Sequence, residues 1–279
     1  MLGTYITFPE LLIWLPVLAG LFSFFASGRQ SSRNIAIFSS LLLLGVSVAS
    51  LFYAQEKFQH YNNVNYYWLK YIGNSFNIGL DGTGRILTFL TALSFPLIFI
   101  GTSAPEKRPS VYYGLMLLAQ AGLMGVFVAK DALVFYFFWE LALIPVYFLS
   151  SQWGGERRIP VTFKFFVYTF TGSLLMLIGI LYVYNHTGAR AFEDGTRSAH
   201  SFALSYFYNA RLTGGEQNFL FWLFFIAFAI KMPVFPFHTW QPDTYDQAPT
   251  PVTMVLSGVM VKMGLFAVIR WLIPIFPEA

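Results

Sequence analysis

Apolar residues run along this chain in eight blocks divided by polar stretches. The blocks are Phe8–Ala26, Ile35–Ala54, Arg85–Gly101, Val111–Ala129, Ala132–Ser151, Thr162–Asn185, Asn218–His238 and Val252–Phe276. A hydrocarbon core about 30 Å thick needs roughly 20 apolar residues per helix, and each block meets that length fully or nearly. The third is short and carries Pro96. Only Lys130 and Asp131 divide the fourth from the fifth, which predicts a tight antiparallel pair of helices. No block alternates with period two over about ten residues, as a β-barrel strand would. Only helices satisfy their own backbone in lipid. The pattern predicts an all-α integral membrane protein with about eight transmembrane helices.

Composition sharpens this reading. Charged residues make up 11% of the 279 and apolar ones 56%, whereas soluble domains carry about 25% charged residues. That excludes a disordered chain or an ordinary soluble enzyme. There is no cysteine, which excludes disulfides, thiolate zinc sites, iron–sulfur ligation and covalent haem of the c type. The net charge of +4 is small, and its basic residues cluster between the apolar blocks, a weak pointer to nucleic acid.

The clusters orient the chain. The short loops after the first, third and fifth spans hold Arg29, Arg33, Lys107, Arg108, Arg157 and Arg158. The longer loops after the second and sixth hold Lys57, Lys70, Arg190, Arg197 and Arg211, thinly spread and mixed with acids. Density in short loops marks the cytoplasmic side. No Lys or Arg precedes the first span, whose only charge is Glu10, so it does not read as a secretory signal. A multi-pass protein of the cell inner (plasma) membrane is expected, with an extracytoplasmic N-terminus. Within the loop after the second span, Phe76 to Gly84 alternates and ends in Asp81-Gly82, which predicts a small hairpin outside the membrane. The loop from His186 to Gln217 is polar and predicts no defined element.

Three ionisable residues lie well inside spans: Glu140, Lys231 and Lys262. Each costs about 2.5–3.5 kcal/mol at a helix centre, and such residues usually face a bundle interior and mark an ion or proton path. Glu140 is either a titrating group beside a cation or a neutral acid bonded to a backbone carbonyl. Lys231 precedes Pro233 and Pro236, which remove backbone donors and break a helix. The freed carbonyls around Ala227–Ala229 need protein or water as partners. Lys231 is thus either part of a polar interior or a side chain reaching back to the membrane surface. Lys262 lies far from both ends of its span, where a desolvated lysine exchanges its proton or sits in a static ion pair. His238, seven residues beyond Lys231, falls on roughly the same face if the helix continues. It reads as a proton relay or equally as an interfacial anchor. Lys164 and Arg270 read as side chains that reach out from span ends.

These residues carry a resemblance. The run Phe135–Pro145, with Trp139, Glu140 and Pro145, resembles the fifth-helix motif of the antiporter-like, proton-pumping subunits of respiratory complex I, the NADH dehydrogenase. Lys164–Thr169 with Gly172-Ser173 resembles their sixth helix. Lys231–Asp243, then Ala248-Pro249-Thr250 and the helix bearing Lys262-Met263-Gly264, is similar to their seventh and eighth. Gly79-Leu80-Asp81-Gly82 also fits, and the M type within the family is the most similar. The resemblance implies the first inverted-repeat half of the antiporter-like fold: a three-helix segment over 1–110 with an extracytoplasmic hairpin, then a five-helix repeat over 111–279, its broken helix being the seventh span. It implies proton translocation along Glu140, Lys231, Lys262 and His238, driven by quinone reduction elsewhere in the complex. It implies no cofactor or metal on this chain, with NADH and quinone used by the wider complex, and the other membrane subunits of complex I and the lipid bilayer as partners. Two departures stand out: Tyr245 and Gln247 replace a histidine and a carboxylate common in the family. Family members also have about fourteen helices, so the chain looks truncated after its eighth span. A subunit of an Mrp-type cation/proton antiporter or a membrane-bound hydrogenase shares the same residues, and a structural membrane scaffold is the third alternative.

Overall fold

The computed structural model describes residues 6–53, 59–103, 105–192 and 195–279. In chain order its elements are α1 (Phe8–Phe25), α2 (Arg29–Phe52), α3 (Gln59–Asn62), β1 (Asn63–Leu69), β2 (Asn74–Gly79), α4 (Gly82–Gly101), α5 (Pro109–Val128), α6 (Ala132–Trp153) and α7 (Arg158–Asn185). There follow β3 (Arg190–Ala191), β4 (Arg197–Ser198), α8 (Leu204–Tyr208), α9 (Gly214–Lys231), α10 (Trp240–Gln247) and α11 (Thr250–Ile275). The expected end of the second span at Ala54, and Lys57 beyond it, lie outside the described residues.

Among the described residues, α1, α2, α4, α5, α6, α7 and α11 are each long and apolar enough to cross a membrane. The span expected to be broken, the seventh, is α9. α9 opens with the polar turn Gly214–Asn218 and stops at Lys231, so its apolar run covers only Phe219–Ile230. Among the described residues, seven helices are of spanning length, and α9 is a shorter apolar helix that ends at a buried lysine. Phe22, Phe38, Leu97, Phe163 and Trp222 point outward, 55% to 71% exposed, as a lipid-facing surface requires.

Residue chemistry sets where the helices start. Asp131 accepts from the Leu133 and Val134 amides at 3.0 and 3.4 Å and so caps α6, while Asp81 accepts from the Gly84 amide at 2.8 Å and caps α4. A carboxylate at this position satisfies amides that have no helical partner. The expected hairpin is therefore displaced. β1 and β2 pair antiparallel, Asn63 opposite Gly79 and Tyr66 opposite Phe76. The reversal falls at 70–73, where Gly73 takes a φ of 68°, and Asp81-Gly82 begins α4 instead of turning the hairpin.

α5 is the central helix, with 83% of its most apolar stretch buried against 33% for α1 and α2. It packs against α1, α2, α4 and α6. Small residues let the α5–α6 pair close, as they do between helices in lipid generally. A methyl group added at Gly122 would lie 2.5 Å from the Ala142 amide nitrogen, and one at Gly125 would run into the Phe138 ring.

On the hairpin side the loops lock onto the α5–α6 turn. The Lys130 amide donates to Asn77 O at 2.9 Å and the Leu204 amide to Lys130 O at 2.9 Å. Asp131 is fully buried there, accepting from Asn74 Nδ2 at 2.7 Å and the Ser75 amide at 3.4 Å. Arg190, also buried, donates to Gly73 O, Ser75 Oγ and Ser201 Oγ at 3.2–3.4 Å. The described residues of the loop after α7 are held by a short β3–β4 ladder and by polar bonds to the hairpin.

Gly122→Ala is expected to lower stability by roughly 1–3 kcal/mol, the usual cost of overpacking, read as a drop in the detergent-solubilised unfolding midpoint. Burial pushes the Asp131 carboxyl up to about 7, against the pull of the Ser75, Val134 and Leu133 amides and of Arg190. A folded-state value raised above the ordinary carboxylate range means that ionising Asp131 opposes folding, with stability lost between about pH 4 and about pH 7 and no further loss above that. The midpoint of Asp131→Asn relative to the parent should therefore rise between about pH 4 and pH 7 and level off above that; a flat or falling difference across that window would contradict this assignment.

Candidate functional site

α9 breaks where its prolines require. The chain is non-helical from Met232 to Thr239 and resumes as α10 at Trp240. Pro233 and Pro236 supply no amide hydrogens, yet the helix end is not left bare. The Met232 amide donates to Phe228 O at 2.8 Å, the Val234 amide to Ala229 O at 2.9 Å, and the Trp240 indole to Ile230 O at 2.9 Å. Ala229 and Ile230 have therefore exchanged helical partners for a reversed amide and a buried side chain.

The loop beyond the break is tied to α7. Lys164 Nζ donates to Thr239 O at 2.9 Å and pairs with Asp243 Oδ2 at 2.8 Å, while Thr239 Oγ1 donates to the Tyr168 hydroxyl at 2.8 Å. The hydrogen bond and charge of Lys164 hold the Asp243 carboxyl below the usual carboxylate range. The expected outward-reaching role of Lys164 is thus corrected: it anchors the segment that follows the broken helix.

Lys231, the last residue of α9, is 2% exposed. Its ammonium lies 5.6 Å from the centroid of the Trp139 ring and has no hydrogen-bonding partner. Of the two readings of Lys231, the structure places it in the interior and not at the membrane surface, because α9 packs against α7 and α11 and encloses it. Glu140, next to Trp139 on α6, has its Oε1 buried without a partner. Glu140 and Lys231 lie in each other's electrostatic field, with no direct ion pair between them. The fold thus turns both charges towards one interior formed by α6, α7 and α9.

The other two expected residues stand apart. His238 lies in the non-helical stretch, so the helical-face argument linking it to Lys231 does not hold. Its ring is 5.7 Å from that of Phe235 and its Nδ1 is buried without a partner. Lys262 follows a π-helical turn, Leu256–Met260, and donates to Ser257 O at 2.6 Å. It lines an outward groove between α4 and α11 with Thr83, Leu87 and Leu265. A π turn widens the helix and loosens its regular carbonyl pairing, which gives the ammonium an acceptor on its own helix. Arg270 is also a correction. Instead of reaching out from its span end it is 6% exposed and pairs with Asp81 at 2.6 Å.

Sequence reasoning did not anticipate the roles of Trp240 or Asp131. Trp240 had a signal, an indole donor just beyond two prolines that free carbonyls. Asp131 had one too, an acid immediately before an apolar block.

Residues 129–279 match the family model described as NADH:quinone oxidoreductase/Mrp antiporter, transmembrane. The F(420)H(2) dehydrogenase subunit M of Methanosarcina mazei is 33% identical over 281 residues, which cover 96% of this chain and 54% of that protein. The NADH-quinone oxidoreductase subunit M of Rickettsia prowazekii is 34% identical over 278 residues, with coverages of 96% and 54%. A chain in the respiratory complex I from Thermus thermophilus with bound NADH superposes with a TM-score of 0.77 at 28% identity, over 96% of this chain and 53% of that one. The chain spans about half the length of the curated relatives it matches. With its model matched across more than half of the sequence and its relatives along nearly all of it, the chain belongs to the membrane-subunit family of the NADH:quinone oxidoreductases and Mrp antiporters.

Proposed function

We propose that this chain carries protons as an M-type, antiporter-like part of a membrane oxidoreductase that reduces quinone elsewhere in its complex. The observation that carries the reading is Lys231: a buried ammonium at the end of a broken helix, over Trp139 and in the field of Glu140, with no hydrogen-bonding partner. Such a charge is costly to bury. A static role would normally be served by a tight pair with Glu140, whereas a charge held near its counter-charge and bonded to nothing is free to exchange a proton.

In this reading the proton enters from the side of the arginine-bearing short loops, along the non-helical stretch that holds His238. It rests on Glu140 or on Lys231 Nζ and passes towards Lys262. No redox group is held by this chain. NADH or another reduced cofactor and the quinone act on other subunits, with which this chain assembles in the cell membrane. The short basic loops face the cytoplasm and the β1–β2 hairpin the opposite side, as the arginine distribution supports. The subunit M names of the relatives favour this reading over an Mrp-type antiporter, which would use the same residues for cation exchange.

The test is proton uptake by vesicles bearing the assembled complex, driven by NADH oxidation, with assembly measured separately. Glu140→Gln preserves shape and hydrogen-bonding capacity but cannot titrate; it should assemble and lose pumping by about ten-fold or more, a modest share of what proton-transfer groups typically contribute. Lys262→Arg keeps the charge but holds its proton at any relevant pH and should also impair pumping. Normal pumping in Lys262→Arg, alongside failed assembly in Lys262→Ala, would make Lys262 a structural residue and overturn its place in the path.

A further inference from the structure

On the hairpin side of the molecule, away from Glu140 and Lys231, three helix ends meet around a cavity of about 290 Å³. Asp81 at the start of α4, Lys130 just past the end of α5 and Arg270 near the end of α11 line it, with Asn77, Ser205 and Tyr208. Residues at the ends of spanning helices sit at the level of lipid headgroups. Two cations face one carboxylate, so the lining carries an excess positive charge.

Each charged group is fixed by the fold. Asp81 is held by the α4 cap, accepting from the Gly84 amide at 2.8 Å. Lys130 is held at its backbone by Asn77 and Leu204 and donates from Nζ to Asn63 Oδ1. Arg270 stacks 5.3 Å from the Phe266 ring centroid, and its carbonyl accepts from the Tyr208 hydroxyl at 2.9 Å. Its guanidinium is more than nine-tenths buried and pairs with Asp81 through one nitrogen, leaving Nε buried with no acceptor. A buried guanidinium normally fills its donors, because each orphan is costly. Asp81 sits against Nη1, and the Arg270 side chain lines the cavity beside a second cation. The shape and charge suit a tetrahedral oxyanion, which takes several donors from Arg and a point charge from Lys.

We propose that this cavity binds the phosphate group of an anionic ligand through Arg270 and Lys130, with Tyr208 and Ser205 at its rim. At headgroup depth the chemistry fits the phosphodiester of an anionic phospholipid, and free inorganic phosphate offers the same oxygens.

The test uses the full chain in detergent after removal of bound lipid. Short-chain phosphatidylglycerol, short-chain phosphatidylcholine and inorganic phosphate are titrated separately, with the unfolding midpoint and native mass spectrometry as readouts. Phosphatidylglycerol should raise the midpoint and leave a one-to-one adduct, with phosphatidylcholine doing neither. Lys130→Gln, which leaves the Asp81–Arg270 pair in place, should weaken phosphatidylglycerol binding roughly ten-fold, as loss of one charged hydrogen bond predicts. Arg270→Lys should weaken it at least as much, since the fork is lost. If inorganic phosphate protects as well as phosphatidylglycerol and is equally sensitive to both variants, the site stands with the free anion as its ligand. Equal binding of the two lipids by the parent chain, or undiminished phosphatidylglycerol binding by Lys130→Gln, would overturn the proposal even if Arg270→Lys fails to fold.

Discussion

Lipid offers no hydrogen bonds, so every backbone carbonyl and every charge that this chain carries into the bilayer must be answered from within the protein. The rest of the structure follows from that constraint. It forces the apolar blocks into helices and gathers them around α5, the helix most enclosed by its neighbours. It also makes the end of α9 the place of greatest demand, because two prolines there withdraw the donors a continuous helix would supply.

The demand at that point is met unequally, and the inequality is informative. The backbone is satisfied: a turned-back amide and the Trp240 indole take the carbonyls of Ala229 and Ile230. The charge is not, since Lys231 has a ring face and the field of a carboxylate but no hydrogen-bonding acceptor. A fold that rescues its carbonyls with a bulky aromatic while leaving an ammonium unbonded a residue away has separated two tasks. The rigid break is structural, and the lysine it exposes to the interior keeps its freedom to change protonation.

Polar clamps hold the two ends of the bundle. On one side Lys164 fixes the loop after the break through Asp243 and the Thr239 carbonyl. On the other, Asp131 fastens the hairpin to the α5–α6 turn, Arg190 ties the loop after α7 to the hairpin, and the Asp81–Arg270 pair ties the end of α11 to the start of α4. Each clamp joins segments far apart in sequence and confines the break of α9 between anchored ends.

The sequence by itself determined the elements whose cause is local. Long blocks of apolar residues with few charges read as spans, Pro233 and Pro236 end α9, and Glu140, Lys231 and Lys262 stood out because each violates the hydropathy around it. The break in the seventh span was legible too, since Lys231 is followed directly by Met232-Pro233 and then Pro236, and the helix ends at Lys231. Asp81 was read as a turn because an Asp-Gly pair serves a hairpin or a helix cap equally well, and only the pairing of β1 with β2 decides which. Tertiary structure alone decided direction: Lys231 turned inward over Trp139, Lys262 turned towards the groove beside α4, and Lys164 and Arg270 bound to carboxylates instead of reaching out. A long cationic side chain near a helix end has several destinations within reach of its own stem. Its partner, Asp243 or Asp81, comes from another helix, and no local pattern says which helix will be there.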